Sequence, residues 1–247
     1  MKQHLFLIVG LLCMMISCTV RHSDSKASFV QVKEGRFVRN GNTYKYIGAN
    51  FWYGSILASQ GEGGNRKRLI AELDLLKSIG IDNLRILVGS DGENGVPTKV
   101  EPTLQTAPGV YNDTILDGLD YLLAEMNKRD MLAVLYLNNS WEWSGGYEQY
   151  LVWVNKGKAP IPAIDGWPMF MQYVQQFPTC KAAQDLFANH VKFIINRINR
   201  YTNINYSEDP TIMSWQIGNE PRAFASENKL PFARWIADVA ALIKSLD

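Results

Sequence analysis

The sequence predicts an α/β fold, a (β/α)8 (TIM) barrel of which about the first four βα units and an N-terminal hairpin are present. Three observations predict it. Buried-type strands alternate with amphipathic helices from Tyr46 to Asp247, the order of parallel strands with helices outside them. Neither G-x-G-x-x-G nor G-x-x-x-x-G-K-[ST] follows any strand, so the rival open, doubly wound sheet lacks its nucleotide fingerprint. Each βα unit takes up about fifty residues, so a whole barrel built this way needs roughly 400, at the long end for the fold. The 247 residues hold about half of that, and the chain reads as a truncated product or one completed by another chain.

The elements follow in order. Met1–His4 and the apolar run Leu5–Ile16 read as a signal peptide, because about a dozen apolar residues are too few to span a bilayer. Ile16-Ser17-Cys18 resembles a bacterial lipoprotein cleavage box, which implies removal of residues 1–17, acylation of Cys18 and anchoring of an exported protein to a bacterial membrane. An ordinary signal peptide and a secreted product are the alternative. Residues 18–30 read as a polar tether and 31–247 as the partial barrel domain. Asn40-Gly41 between Phe37–Arg39 and Asn42–Tyr46 is a hairpin signal, and Tyr46–Phe51 is the first buried strand. A helix over 65–79 carries Leu69, Leu73, Leu76 and Ile79 on one stripe and stops at Gly80. Leu84–Val88 is a strand, 89–112 a loop, 114–129 a helix and Met131–Leu137 a strand. Residues 138–181 form a long, tryptophan-bearing insertion, of a length that is usually functional. A helix over 183–200 stripes Phe187, Val191, Ile194 and Ile198; Thr211–Ile217 is a strand; a last helix begins at Pro231.

Composition narrows the function. With 25 Lys+Arg against 24 Asp+Glu the net charge is +1, which gives no electrostatic reason for a nucleic-acid partner. Only three histidines occur, two of them (His4 and His22) near the N-terminus, so neither a metal-ligand cluster nor a Ser-His-Asp set can be assembled. His190 on a helix reads as structural. No cofactor motif is present.

In a βα barrel the chemistry sits at the C-terminal ends of the strands. Those ends read Asn50-Phe51-Trp52-Tyr53-Gly54, Arg85 with Ser90-Asp91, Asn138-Asn139-Ser140-Trp141-Glu142-Trp143, and Asn219-Glu220-Pro221-Arg222. Amides and carboxylates bond sugar hydroxyls and indole faces stack on pyranose rings, so the set points to carbohydrate. Trp52, Tyr53, Trp141 and Trp143 are the candidate stacking walls; Trp215 and Trp235 read as core, and Trp153 and Trp167 stay open.

Ser214-Trp215-Gln216-Ile217-Gly218-Asn219-Glu220-Pro221-Arg222 resembles the strand-four signature of the retaining enzymes of glycoside hydrolase family 5. Gly48–Gly54 is similar to the first barrel strand of the endo-β-1,4-mannanases of that family, and Phe193–Arg197 with Tyr201-Thr202 to their third barrel helix. The resemblance implies that Glu220 is the catalytic acid/base, that Asn219 bonds the 2-hydroxyl of the cleaved sugar, that Arg85 orients the nucleophilic carboxylate, and that Arg222 reaches a leaving-side sugar. It implies β-mannan as the substrate and no cofactor. The competing readings are a Glu220 paired with Arg222 or Arg85 as a structural ion pair, Asn219 as a helix cap, and Arg85 in a structural salt bridge. The family's nucleophilic Glu closes strand seven, which is missing here, and Glu227 lies in the loop to the last helix. A non-catalytic remnant, a β-1,4-glucanase and a self-pairing half barrel are the rival functions.

Overall fold

The computed structural model describes residues 28–155 and 157–247. The expected signal peptide, Cys18 and most of the tether lie outside the described residues. Within residues 28–30 the Ser28 hydroxyl bonds Asn40, and Arg39 Nε donates to the Ser28 carbonyl at 3.3 Å.

An antiparallel sheet comes first, made of β1 (Gln31–Lys33), β2 (Arg36–Arg39) and β3 (Asn42–Thr43). Asn40 and Gly41, both at positive φ (52° and 78°), make the predicted tight turn. Then follow β4 (Ile47–Asn50), α1 (Gly54–Ala58), α2 (Arg66–Ser78), β5 (Ile81–Leu87), a short hairpin β6 (Gln105–Ala107) and β7 (Val110–Tyr111), α3 (Asp113–Lys128) and β8 (Leu132–Tyr136). The side-chain oxygens of Asn65 and Asn112 cap α2 and α3 by accepting from Arg68 N and Thr114 N. Gly118 lets α3 pack directly on α1, since a Cβ there would sit 2.1 Å from the Ser55 carbonyl oxygen.

Several expectations need correction. The first strand, β4, is not buried, with Ile47 67% exposed, and Ile79 at the end of α2 is 62% exposed rather than on the apolar stripe. The loop 89–112 carries the hairpin of β6 and β7. The insertion 138–181 is not a loop: it holds α4 (Tyr147–Asn155), α5 (Pro162–Asp165) and α6 (Trp167–Val174), with short 3-10 turns on either side. Tyr147, Tyr150, Leu151, Phe170, Val174 and Phe177 are fully buried there, at helical spacings that the interrupting glycines and prolines obscure. The next helix, α7 (Lys181–Ile195), ends five residues early, and Ile198 is 58% exposed rather than on its stripe. The cause is Asp120, buried on α3, which accepts from Arg197 (2.9 and 2.7 Å) and Tyr206 Oη (2.6 Å), while Asn199 Nδ2 donates to its backbone carbonyl at 3.0 Å. These bonds pull the chain out of the helix. β9 (Ile212–Gln216) and α8 (Lys229–Leu246) complete the chain.

β4, β5, β8 and β9 pair in parallel in chain order. A doubly wound sheet reverses its strand order at a switch point; this sheet does not, as a barrel requires. Leu84, Ile86, Val88, Ala133, Leu135 and Leu137 face outward into one core with the helices. Asn50, Asn83, Arg85, Val134 and Gln216 line the opposite, concave face, around a hollow of about 220 Å³. Ile212 pairs with Ala133 but Ser214 with Val134, so Met213 is an extra residue in β9. That bulge matters for the site, because strict alternation from the outward-facing Ile212 would also send Gln216 outward.

Candidate active site

The site is built at the C-terminal ends of β8 and β9. The ladder continues past both strands, with Asn219 N donating to Asn138 O (2.8 Å) and Ser140 N to Asn219 O (3.1 Å). Asn219 is therefore held as extended sheet and caps no helix. Glu220 then turns sharply at φ 46°, a left-handed conformation uncommon for a side chain with a Cβ and found disproportionately at functional sites. The turn leaves its carboxylate half-exposed (56%), accepting the indole N–H of Trp141 at 2.8 Å. Arg222 approaches the same oxygen at 3.3 Å and lies 4.8 Å from the centre of the Trp141 ring. An ion pair with Arg222 thus exists, but both partners are more than half exposed, and such pairs contribute little to stability.

Arg85 is the hub of the concave face. Its guanidinium donates to Gln216 Oε1 (2.7 Å), Asn219 Oδ1 (3.1 Å) and Asn50 Oδ1 (3.5 Å), and it lies 4.1 Å from the centre of the Tyr136 ring. All three acceptors are amides. Among the described residues no carboxylate pairs with Arg85, so the structural salt bridge is not what holds it. Asn219 also donates to Asn139 Oδ1 (3.2 Å), and Asn139 is itself fixed by accepting from Trp141 N (3.1 Å) and donating to Ser144 Oγ (2.9 Å). An amide so held keeps one N–H and one lone pair for a hydroxyl. Gln216, Asn139 and Tyr136 carry this network without having been singled out in the sequence. For Asn139 and Tyr136 a signal was available, a polar residue near the end of a buried strand; for Gln216 it was not, because the bulge at Met213 sets its direction.

The aromatic candidates divide. Trp141 meets Trp167 (5.5 Å) and Phe224 (5.8 Å) edge-to-face, so Trp167 joins the site from the first turn of α6. Trp52, 41% exposed, meets Trp143 (6.0 Å) and Tyr53 (5.5 Å) edge-on, and all three line a second hollow of about 460 Å³. The Tyr53 hydroxyl points away, donating to Glu72 on α2 at 3.1 Å. Trp235 is in the core and Trp215 is half-buried against it.

Two other titratable groups near strand ends are buried and outside the site. Asp91 has its carboxyl pushed up to about 8 by burial; the Tyr150 hydroxyl donates to it at 3.4 Å. His190 is pushed down to about 4 by burial, with Nε2 donating to the Val88 carbonyl (2.8 Å) and Nδ1 accepting from Tyr111 Oη (3.2 Å).

The family model for GH family 5 beta-mannosidase-like proteins matches residues 27–247. Mannan endo-1,4-beta-mannosidase 7 of Arabidopsis thaliana is 31% identical over 94% of this chain and 50% of its own length. Mannan endo-1,4-beta-mannosidase 1 of Solanum lycopersicum is 29% identical over 91% of this chain and 52% of its own length. The glycoside hydrolase family 5 mannosidase of Rhizomucor miehei superposes with a TM-score of 0.82 at 35% identity, over 88% of this chain and 53% of that one. The chain spans about half the length of the curated relatives it matches. With strands pairing in barrel order and the Asn219-Glu220 turn at their C-terminal ends, this chain belongs to glycoside hydrolase family 5, in its β-mannosidase-like group, and forms part of that family's (β/α)8 barrel.

Proposed function

We propose that the chain carries the acid/base half of a retaining hydrolase of β-1,4-mannan, cutting internal mannosidic bonds. The observation that carries this reading is the Glu220 carboxyl, turned out of the strand end onto the Trp141 N–H and next to the amide of Asn219. Glu220 gives its proton to the glycosidic oxygen as the bond to the anomeric carbon breaks. A second carboxylate, about 5–5.5 Å from the first in retaining enzymes, attacks that carbon. Water then attacks the anomeric carbon and displaces the carboxylate, giving one of its protons to Glu220 and restoring the acid. Asn219 bonds the 2-hydroxyl, and Arg222 with Trp141 receives the leaving-side sugar. The nucleophile comes from polypeptide that the relatives have and these residues do not match, and the Arg85 guanidinium, which meets amides and no carboxylate among the described residues, is placed to steady it. Export with acylation of Cys18 goes with this reading; incorporation of labelled palmitate, lost in Cys18→Ala, checks it.

The test is reducing-sugar release from β-mannan by the chain combined with the complementary half of a relative's barrel, with Glu220→Gln beside it. Loss of activity by at least about a hundredfold in Glu220→Gln is expected; equal release from both would remove Glu220 from the reaction. A second reading, attack from chain ends, is favoured by one observation. The family 5 mannosidase of Rhizomucor miehei superposes better (TM-score 0.82, 35% identity) than the endo-1,4-beta-D-mannanase of Thermotoga petrophila (0.66, 26%). A rapid fall in mannan viscosity supports internal cutting; mannose as the sole early product supports end-cutting.

A further inference from the structure

A hollow of about 470 Å³ lies between the segment Glu93–Lys99, which follows β5, and one face of α4. None of its lining residues bonds Glu220, Asn219 or Arg85. Its volume falls within the range of small-ligand sites, about 300–1,000 Å³. One wall is polar and rigid. Lys99 Nζ meets Glu148 Oε1 at 2.6 Å with both side chains more than nine-tenths buried, and donates to Gln149 Oε1 at 3.2 Å. Gly92 leaves room for that amide, since a Cβ there would meet Gln149 Oε1 at 2.5 Å. Another wall is the half-buried indole of Trp153, fixed edge-on to Tyr150 at 5.2 Å.

A buried ion pair is a weak source of stability, because desolvation offsets the attraction. Here it fronts an open hollow, where its charges strengthen hydrogen bonds to any hydroxyl that enters. Lys99 and Lys158 are balanced by Glu93 and Glu148 in the lining, so the hollow selects neither an anion nor a cation. A charge-balanced polar wall beside an aromatic face fits a neutral, polyhydroxylated ring. Lys99 also lines the hollow that holds Trp52 and Trp143, so the strap of residues 97–101 separates two adjoining sugar-sized depressions. Val100 N donates to the Trp143 carbonyl at 2.7 Å and fixes that strap.

We propose that the Trp153 hollow is a distal binding site for one or two further units of the same neutral polysaccharide, reached over the Lys99 strap from Trp52 and Trp143. This rests on the reading of the chain as a mannan-binding protein. The test is electrophoresis of the 247-residue chain in native gels cast with soluble β-mannan. Trp153→Ala removes the aromatic wall; Ala159→Trp fills the hollow from its rim without touching the core, and circular dichroism checks that both fold. Each variant is expected to bind about tenfold more weakly than the parent. Folded variants retarded like the parent overturn the site, as does a parent chain that β-mannan does not retard. Retardation that depends on the hollow, in a chain whose reconstituted barrel does not release sugar, leaves the distal site standing and overturns only the catalytic reading.

Discussion

The indole N–H of Trp141 donates to Glu220 Oε2 at 2.8 Å, joining the loop after β8 to the turn after β9. The two residues stand far apart in sequence, and the bond spans the edge of the cleft. Trp141 is held in turn by edge-to-face contacts with Trp167 and Phe224. Removing the donor while keeping a ring is therefore a specific perturbation. A half-exposed bond to a carboxylate contributes at the low end of the charged range, about 1.5 kcal/mol. Trp141→Phe is expected to lower kcat on mannan about tenfold and stability by no more than about 1.5 kcal/mol, whereas Trp141→Ala also raises KM because the stacking face goes. Steady-state kinetics in the reconstituted barrel checks both; an unchanged kcat in Trp141→Phe would detach the indole from catalysis.

Arg85 reaches Gln216, Asn219 and Asn50 with one guanidinium. A lysine cannot reproduce that fork, since its ammonium is a single point on a flexible stem. Arg85→Lys should leave the Asn219 side chain held by Asn139 alone, cost about 1–3 kcal/mol of stability, and lower hydrolysis at least a hundredfold through lost positioning, on the order of the effect of small misplacements. Urea midpoints and mannan hydrolysis measure the two losses. Retained activity in Arg85→Lys would show that the charge alone suffices.

The buried acid and base respond to pH in opposite directions. His190 falls from its ordinary 6.5 to about 4 in the folded chain because of burial, so only the unfolded chain takes up the proton over that interval. Its contribution is present above pH 6.5 and is lost as the pH falls toward 4. Asp91 rises from 3.8 to about 8, so the folded chain keeps a proton that the unfolded chain releases, and stability falls as the pH rises through that window. Between pH 6.5 and 8 only the second effect operates of these two. Asp91→Asn, which cannot release a proton, should flatten the loss over that interval. Thermal midpoints of parent and variant at pH 6.5 and 8 test it; parallel losses in both would assign the slope to other groups.

Much of the architecture was legible before any coordinates. The four parallel strands, their helices and the Asn40-Gly41 turn followed from apolar period and turn chemistry, because those signals are local; the burial expected of the first strand did not follow, since Ile47 on β4 is exposed. The insertion was located by its length, but its helices were not seen: Phe170 and Val174 are spaced as a helix, yet Gly166 and Pro168 read as loop. The early end of α7 was invisible for another reason. The apolar stripe runs on through Ile198, and what stops the helix is Asp120, which is remote in sequence and binds Arg197 and Tyr206.

The site divides in the same way. By itself the sequence determined the chemistry available at each strand end, and the run Ser214–Arg222 was enough to indicate the family, because side-chain identity is written residue by residue. Only the tertiary structure decided where those groups point. Strict alternation cannot place Gln216 on the concave face; the extra residue Met213 in β9 does, through pairing with β8. Nor can spacing reveal that Arg85 holds three amides, that Tyr53 spends its hydroxyl on Glu72, or that Glu220 is turned to φ 46° against Trp141. The physical reason is common to all of these. Strand-end groups meet only when separate βα units are laid side by side, so their partners are set by sheet register and not by distance along the chain.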